Sequence, residues 1–292
     1  MSAGTIGIIG GTGLYSLPGL EDVEQIELDT PFGKPSSPIT SGRLGETRLL
    51  FLARHGIGHK ILPTEINSQA NIYALKTLGA EWCLSISAVG SLQEELAPGD
   101  IVVPDQLIDR TRLRENTFFG EGVVAHVQFA DPFCPVLSDA LYQTAARLGH
   151  AGGIAVQRGG TYVCMEGPAF STRAESHLYR SFGASLIGMT ALPEAKLARE
   201  AEIAYAVLAL VTDYDCWRSH AADVDVAEIL RIMGKNVEFA RSVIQHLVPS
   251  LKNVRPSSMA ADALQAAIIT PKELWPAPTK VKLRALLDRY LV

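Results

Sequence analysis

The stretch TIGIIGGTG, residues 5–13, decides the fold of this chain. Its opening apolar run is typical of a buried strand, and the glycines that follow predict a tight turn. A glycine turn lets backbone N–H groups approach an anion closely, and Thr12 adds a hydroxyl donor. Because Ser16 stands where a dinucleotide-binding turn would have its third glycine, the residues fit either an anion site or a purely structural turn.

Strands and helices alternate along the rest of the chain. Apolar runs predict the strands, and helical periodicity predicts the helices between them. The predicted strands are residues 49–53, 82–87, 101–103, short segments near 155 and 162, 185–187 and 205–211. The predicted helices begin near 63 and cover about 135–148, 172–182, 193–202 and 224–247. This alternation predicts an α/β fold with a mostly parallel sheet that is covered on both faces.

Polar or glycine-rich turns follow several of these predicted strands. In open α/β folds a ligand binds beyond the carboxyl ends of the strands. The turns at Thr12, Arg54, Ser87, Thr190 and Asp213 are therefore expected to meet at one site.

Composition limits the classes of partner. The 292 residues carry a formal net charge of -5 at pH 7, whereas a protein that follows a nucleic-acid backbone needs a basic face. No apolar run approaches the ~20 residues that a membrane span needs, and no secretory leader pattern opens the sequence. The cysteines lie far apart, and no spacing predicts a metal site. We expect a cytoplasmic protein that binds small molecules, without a metal, nucleic acid or membrane as partner.

Two carboxylates, Asp213 and Asp215, follow the most apolar predicted strand. Strand alternation places both on one side of an extended segment, with Tyr214 on the other. Burial and mutual repulsion would raise the pKa of one of them, so that it keeps a proton near neutral pH and can act as a general acid. A solvated strand end, capped by its own aspartates, accounts for the same residues.

Cationic and hydroxyl groups follow two other predicted strands. Arg54 offers a planar fork of donors suited to phosphate oxygens, and His55 can add one more. Ser87 supplies a hydroxyl and Ala88 a backbone N–H, although each of these turns could equally be an ordinary solvated one. Phe170, before a predicted helix, could stack on a flat ligand or pack in the core.

An ordered set of sequence strings carries a resemblance to a known family. It includes GIIGGTGL at 7–14, ARHG at 53–56, EGPAFSTRAES at 166–176, GMTALPEAKLAREA at 188–201 and VTDYDCW at 211–217. The chain resembles the purine nucleoside phosphorylase superfamily over about residues 5–250, and within it the phosphorylases of 5′-methylthioadenosine. The resemblance implies a single-domain, three-layer α/β sandwich around a mixed, partly barrel-like sheet, assembled as a homotrimer. It also implies phosphorolysis of methylthioadenosine to adenine and a sugar phosphate, with phosphate as co-substrate and no cofactor.

The resemblance implies roles for single residues. Phosphate would be held by Thr12, Arg54, His55, Ser87, Ala88 and Thr190. The nucleoside would contact Met189, Phe170, Ser171, Asp213 and Asp215, with Asp213 as the catalytic acid at purine N7 and Asp215 as the acceptor from the 6-amino group. The methylthio group would lie near Val226, Ile229 and His59, and His126 would reach in from the adjacent subunit.

Some features depart from the family pattern or leave alternatives. Ser87 stands where relatives often have Thr, and Gly188 stands where Asn is more usual.

Residues 1–253 are expected to form the phosphorylase domain, and 254–292 an extension whose terminal helix packs on the domain or on a neighbouring subunit. A 5′-methylthioinosine or general purine nucleoside phosphorylase is the nearest alternative. A hydrolase, an NAD-binding domain and a non-catalytic nucleoside-binding module are further ones.

Overall fold

A computed structural model describes residues 4–11, 14, 17–218 and 226–291, with the side chains of 226–230 and 233 outside the description. The strands are β1 (Thr5–Gly10), β2 (Glu21–Ile26), β3 (Ile39–Leu44), β4 (Thr47–Ala53), β5 (Ala80–Ser91), β6 (Ile101–Val103), β7 (Gln106–Arg110), β8 (Val156–Arg158), β9 (Thr161–Met165), β10 (Leu186–Gly188) and β11 (Ala204–Asp213). The helices are α1 (Ser68–Thr77), α2 (Pro135–Gly152), α3 (Arg173–Ser181), α4 (Ala191–Glu200), α5 (Val226–Ser250), α6 (Ser258–Ala261), α7 (Ala277–Lys282) and α8 (Arg284–Leu287). The predicted α/β alternation is confirmed.

The central strands are apolar throughout because both faces of the sheet are buried. Along β11, Tyr205 and Val207 face a core that also contains side chains of α1 and α4. Ala206 and Leu208 face a second core, which contains side chains of α2 and α5. Helices thus cover the sheet on two sides and give the predicted three-layer arrangement.

The sheet is mixed, and most of its strand pairs are parallel, as predicted. Its main path runs β2-β3-β4-β1-β5-β10-β9-β7, and β11, β6 and β8 form a branch from β5. The parallel pairs are β1–β4, β1–β5, β5–β11, β6–β8, β7–β9 and β9–β10, and the antiparallel pairs are β2–β3, β3–β4, β5–β10 and β6–β11. Over the described residues the sheet does not close on itself. The sequence pattern missed β2, β3 and β7 because their exposed or polar residues do not form an apolar run.

Strand β5 forks the sheet, and this fork creates the site. One edge of β5 pairs with β1 as far as Ser85 and then with β10 at Gly90 and Ser91. The other edge pairs with β11 along nearly its whole length. The sequence predicted that this strand ends at Ser87, but pairing with β10 and β11 carries it on to Ser91. Among the described pairings, the edge between Ser85 and Gly90 has no partner strand, which leaves backbone accessible at a switch point.

The C-terminal residues pack on the same chain. The Ala267 carbonyl accepts from the His126 N–H, and Thr279 donates to the Glu121 carbonyl. Leu283 and Leu287 are buried in the core that contains α1. The backbone leaves helical values at Leu283 (φ -95°, ψ 14°), so two short helices, α7 and α8, stand where the sequence predicted one. The division of the chain at residue 253 into a domain and an extension stays a prediction.

None of the described helices combines the length and apolar character needed to cross a membrane.

Candidate active site

A cavity of about 340 Å³ opens at the fork in β5. Its wall includes the stretch from Ile86 to Gly90, together with residues at or just beyond the carboxyl ends of β1, β4, β9, β10 and β11. Parallel strands of an α/β sheet direct their carboxyl ends to one edge, where a ligand binds. The cavity therefore lies where the sequence pattern predicts a site.

Most of the residues selected from the sequence line this cavity. They are Arg54, His55, His59, Ser87, Ala88, Phe170, Met189, Thr190, Asp213 and Asp215. The structure thus brings the predicted phosphate-binding and purine-binding groups into one enclosure, while their individual roles stay predictions.

The other selected residues lie elsewhere or outside the description. Thr12 is not among the described residues, and of Val226 and Ile229 only the backbone in α5 is described. Ser171 does not line the cavity, but its carbonyl accepts from Cys216, the residue after Asp215. His126 is exposed and borders two other depressions of the same chain, so a role at this site would require a neighbouring subunit.

Arg54 is a buried cation with a buried partner. Its Nε lies 2.5 Å and its Nη2 3.1 Å from the Glu194 carboxylate, and Nη2 also donates to Ser85 Oγ at 2.6 Å. Burial disfavours the charge on Arg54, but the Glu194 carboxylate more than offsets this, so the pKa of Arg54 lies above its usual value. Nη1 donates to the Ile86 carbonyl, and its second hydrogen has no acceptor among the described residues. A fixed cation thus presents a donor to the cavity.

Glu194 is a functional residue that sequence reasoning did not single out. It is 1% exposed, and its Oε2 also accepts from Tyr205 at 2.9 Å and from Ser85 at 3.1 Å. One feature of the sequence indicates that Glu194 is buried. Glu194 precedes Leu197 and Ala198 by three and four residues on α4, which places a carboxylate on the buried face of the helix. A carboxylate there requires a cationic partner, but periodicity could not identify Arg54 as that partner.

His55 and His59 stack at the cavity wall, with ring centroids 4.1 Å apart. The Nδ1 atom of His55 lies 2.8 Å from the Ile61 carbonyl oxygen. Burial lowers the pKa of His55 to about 4, although the Ile61 hydrogen bond opposes the shift. His55 is therefore neutral at pH 7, its Nδ1–H donates to Ile61, and Nε2 is left as an acceptor.

We expect the free energy of unfolding of His55→Gln to decrease less than that of wild type when the pH is lowered from about 6.5 to 4. An unfolded chain binds a proton at histidine below about pH 6.5, whereas the folded chain binds one at His55 only below about pH 4. His55 therefore makes the free energy of unfolding fall as the pH drops from 6.5 to 4. Urea unfolding of both proteins at several pH values measures this. Glu200, whose pKa burial raises to about 7, acts with the opposite sign in both proteins, so only their difference reports on His55. If the free energy of unfolding depended on pH in the same way in wild type and in His55→Gln, the lowered pKa of His55 would be contradicted.

Two hydroxyl groups lie beside Arg54 in the cavity wall. Ser87 Oγ and Thr190 Oγ1 are 2.9 Å apart, and Thr190 precedes the first residue of α4. Hydroxyls are suited to anion oxygens, because each presents a donor with no negative charge of its own. Arg54, Ser87 and Thr190 all line the cavity, which is consistent with the predicted anion site.

Asp213 and Asp215 contribute two carboxyl groups to the cavity lining. Asp213 Oδ2 accepts from the Thr212 hydroxyl at 2.8 Å, and Oδ1 accepts from the Asp215 N–H at 2.8 Å. Burial raises the pKa of Asp213, and these two hydrogen bonds only partly oppose it. Burial also raises the pKa of Asp215, and this outweighs the opposing effect of the nearby Ser176 hydroxyl and Cys216 N–H. The site therefore contains carboxyl groups that hold their protons to higher pH than exposed aspartates do.

Gly90 allows the two aspartates to approach β5. A Cβ at this position would lie 2.9 Å from Asp213 Oδ1 and 3.4 Å from Asp215 Cβ. A side chain at this position would therefore collide with the Asp213 carboxylate unless that side chain moved.

Arg114 fixes the two loops that border the cavity near Met189. Its side chain is 5% exposed, and Nη1 donates to the carbonyls of Met189 at 2.6 Å and Leu192 at 2.7 Å. Nη2 donates to the carbonyls of Met165 and Glu166, and Nε donates to the Glu166 carboxylate at 3.1 Å. One buried guanidinium thus ties the turn after β9 to the turn after β10.

Comparison with known proteins agrees with this fold. The sequence pattern of the phosphorylase superfamily matches residues 5–249, and the chain belongs to this superfamily. A protein of Geobacter sulfurreducens that is named S-methyl-5′-thioadenosine phosphorylase is 56% identical over 287 residues, which cover 98% of this chain and 99% of that protein.

Solved structures point to the same branch of the superfamily. A methylthioadenosine phosphorylase from an antarctic soil metagenomic library superposes with a TM-score of 0.90 at 48% identity, covering 98% of this chain and 100% of that one. A methylthioadenosine phosphorylase from Schistosoma mansoni, solved in complex with adenine, superposes with a TM-score of 0.81 at 38% identity, covering 90% and 96%.

Proposed function

We propose that this chain catalyses the phosphorolysis of S-methyl-5′-thioadenosine to adenine and S-methyl-5-thio-α-D-ribose 1-phosphate. The observation that carries the proposal is one cavity that combines a buried arginine and two hydroxyls with two buried carboxyl groups of raised pKa. The first set suits an anionic nucleophile, and the second suits a purine leaving group. The names of the close relatives support the choice of nucleoside.

The reaction is a substitution at the anomeric carbon of the sugar. A phosphate oxygen forms a bond to this carbon while the bond to purine N9 breaks, through a transition state with oxocarbenium character. The electron pair of the broken bond remains on the purine, and the proton of Asp213 moves to N7 to neutralise it. Arg54, Ser87 and Thr190 hold phosphate below the sugar, so that the nucleophile and the leaving group stand in line.

Asp215 selects a 6-aminopurine. Its carboxylate accepts a hydrogen bond from the 6-amino group, whereas a 6-oxopurine would direct a carbonyl oxygen at it with no hydrogen to share. An unpaired buried acceptor costs ~1–3 kcal/mol, which discriminates clearly between the two bases.

We expect Asp215→Asn to shift the preference toward 6-oxopurines by ~10- to 100-fold in the ratio of kcat/KM values, because an amide can donate to the carbonyl oxygen. The ratio for methylthioadenosine and methylthioinosine measures the shift. Glu175→Gln is a matched control, since this exposed carboxylate caps α3 through Thr172 and does not line the cavity. An unchanged ratio in Asp215→Asn would remove Asp215 from base recognition.

A comparison of four nucleosides tests the proposed substrate. We expect kcat/KM to be highest for methylthioadenosine, lower for adenosine, and lowest for methylthioinosine and inosine. A preference for methylthioinosine would favour the alternative phosphorylase, and equal rates with all four would favour a general purine nucleoside phosphorylase.

The proposal includes an assembly and a location. The enzyme acts as a homotrimer in the cytoplasm without a metal or an organic cofactor, and His126 of one subunit completes the site of the next. The exposure of His126 and its distance from the cavity lining of its own chain support this arrangement.

A further inference from the structure

Tyr162 on β9 lies in the core beside the cavity wall and forms a hydrogen bond with one of the hydroxyl groups of the cavity. It is fully buried, and its phenol oxygen lies 3.2 Å from Ser87 Oγ. Ser87 Oγ in turn lies 2.9 Å from Thr190 Oγ1. The three hydroxyls form a chain that begins in the core and ends on two residues of the cavity wall, although Tyr162 does not line the cavity.

Gly188 on β10 makes this chain possible. A Cβ at position 188 would lie 2.0 Å from the Tyr162 phenol oxygen and 2.6 Å from the ring carbon that bears it. The φ angle of Gly188 is outside the left-handed region, so its backbone conformation does not require glycine. The absence of a side chain at Gly188 therefore leaves a space, and the Tyr162 hydroxyl occupies that space.

The direction of the hydrogen bonds follows from the phenol. Burial raises the pKa of Tyr162 to about 12, so the hydroxyl keeps its hydrogen at neutral pH. A buried hydroxyl must donate that hydrogen or lose the free energy of a hydrogen bond. Ser87 Oγ, 3.2 Å away, and Thr190 are both within reach of the phenol. When Ser87 accepts from Tyr162, its own hydrogen points to Thr190 Oγ1 at 2.9 Å rather than to the Ala88 carbonyl at 3.4 Å. The Thr190 hydrogen is then left for an anion in the cavity.

We infer that Tyr162 is a positioning residue of the phosphate site, which Gly188 admits: its phenol donates to Ser87, Ser87 donates to Thr190, and Thr190 donates to phosphate. The inference rests on the proposed function only for the identity of the anion. It explains two departures from the family pattern together, since Gly188 leaves the space that Tyr162 fills and Ser87 is the hydroxyl that it orients.

Tyr162→Phe tests the phenol, because the substitution keeps the ring and removes only the hydroxyl. We expect KM for phosphate to rise about five- to tenfold, the loss of one buried hydrogen bond, with KM for the nucleoside at saturating phosphate unchanged. Tyr73→Phe is the matched control: Tyr73 is also buried and its hydroxyl accepts from the Ala285 N–H, far from the cavity lining. It should leave both KM values unchanged.

Two outcomes of this experiment overturn the inference. An unchanged KM for phosphate in Tyr162→Phe would reduce Tyr162 to a packing role, and so would an equal rise of both KM values. Wild-type enzyme that releases adenine without phosphate would instead contradict the proposed function. Calorimetric titration with inorganic phosphate alone separates the two, because weaker binding to Tyr162→Phe supports the positioning role without any turnover.

A second pair of variants tests the spatial claim. Gly188→Ala should lower the melting temperature and raise KM for phosphate, because its methyl group displaces the phenol. Adding Tyr162→Leu frees that space, so Gly188→Ala/Tyr162→Leu should regain stability relative to Gly188→Ala while the raised KM for phosphate persists. Losses of stability that simply add in the double variant would show that the two positions are not coupled.

Discussion

Asp213→Asn is expected to lower kcat for S-methyl-5′-thioadenosine by ~10²- to 10⁴-fold, the usual contribution of a general acid. Asparagine keeps the size of the side chain and its acceptor oxygen, but it has no acidic proton to give to purine N7. Its acceptor oxygen can keep the hydrogen bond from the Asp215 N–H, while its NH2 donates to the Thr212 hydroxyl, which then turns its own hydrogen to the Val89 carbonyl. The side chain therefore stays in place, and the loss reflects chemistry rather than geometry. Steady-state kinetics at saturating nucleoside and phosphate measure kcat directly.

The stability of Asp213→Asn and the pH dependence of its kcat distinguish the loss of the acid from misfolding. Since burial raises the folded-state pKa of Asp213, the stability that its protonated form contributes is lost as the pH rises through that pKa. At neutral pH, Asp213→Asn should therefore unfold at an equal or higher urea concentration than wild type. The decline of kcat at high pH that depends on this proton should disappear in the variant.

The matched control for Asp213 is Asp100→Asn. Asp100 also accepts a backbone N–H, from Ala97 at 2.8 Å, but it does not line the cavity. Its replacement should leave kcat unchanged. Near-wild-type kcat in Asp213→Asn would exclude Asp213 as the acid.

Glu194→Gln is expected to reduce the free energy of unfolding by ~3–5 kcal/mol, because it leaves the buried charge of Arg54 uncompensated. The pair is almost inaccessible to solvent, with side chains 3% and 2% exposed, so water cannot replace the lost carboxylate. A mobile or displaced Arg54 should also raise KM for phosphate more than KM for the nucleoside. Urea unfolding and steady-state kinetics on the same preparation measure both effects.

An exposed ion pair gives the control for Glu194. Glu46 lies 2.6 Å from Lys252, but these side chains are 69% and 49% exposed. Glu46→Gln should leave the free energy of unfolding nearly unchanged, as for other solvated pairs. Glu194→Asp keeps the charge and should fall between wild type and Glu194→Gln. If Glu194→Gln were as stable as Glu46→Gln, the ion pair would not hold Arg54 in place.

The sequence predicts those parts of the fold and site that depend on local pattern. Apolar runs and their polar ends are local features, so the β1, β4 and β11 strands and the turns with Arg54 and Asp213 could be read from the chain. The close approach of Arg54 to Glu194, 140 residues further on, could not, because it depends on how α4 packs against the sheet. The extension of β5 past Ser87 has the same origin, since its partners β10 and β11 come about a hundred residues later.

The contacts that a glycine permits also cannot be predicted from a single sequence. Gly90 and Gly188 look like ordinary strand-end glycines, whereas the structure shows an aspartate against one and a phenol against the other. Motif resemblance identified the residues around them but could not give the contact that each glycine permits. The predicted roles of Thr12, Val226 and Ile229 fall on residues or side chains outside the described part of the chain and stay predictions.

Adenine release from S-methyl-5′-thioadenosine, measured with and without phosphate, is the most direct test of the proposed activity. We expect release to require phosphate, to saturate with its concentration, and to yield one methylthioribose 1-phosphate for each adenine. Release at the same rate in phosphate-free buffer, with free methylthioribose as the product, would show hydrolysis and contradict a phosphorolytic site built on Arg54, Ser87 and Thr190.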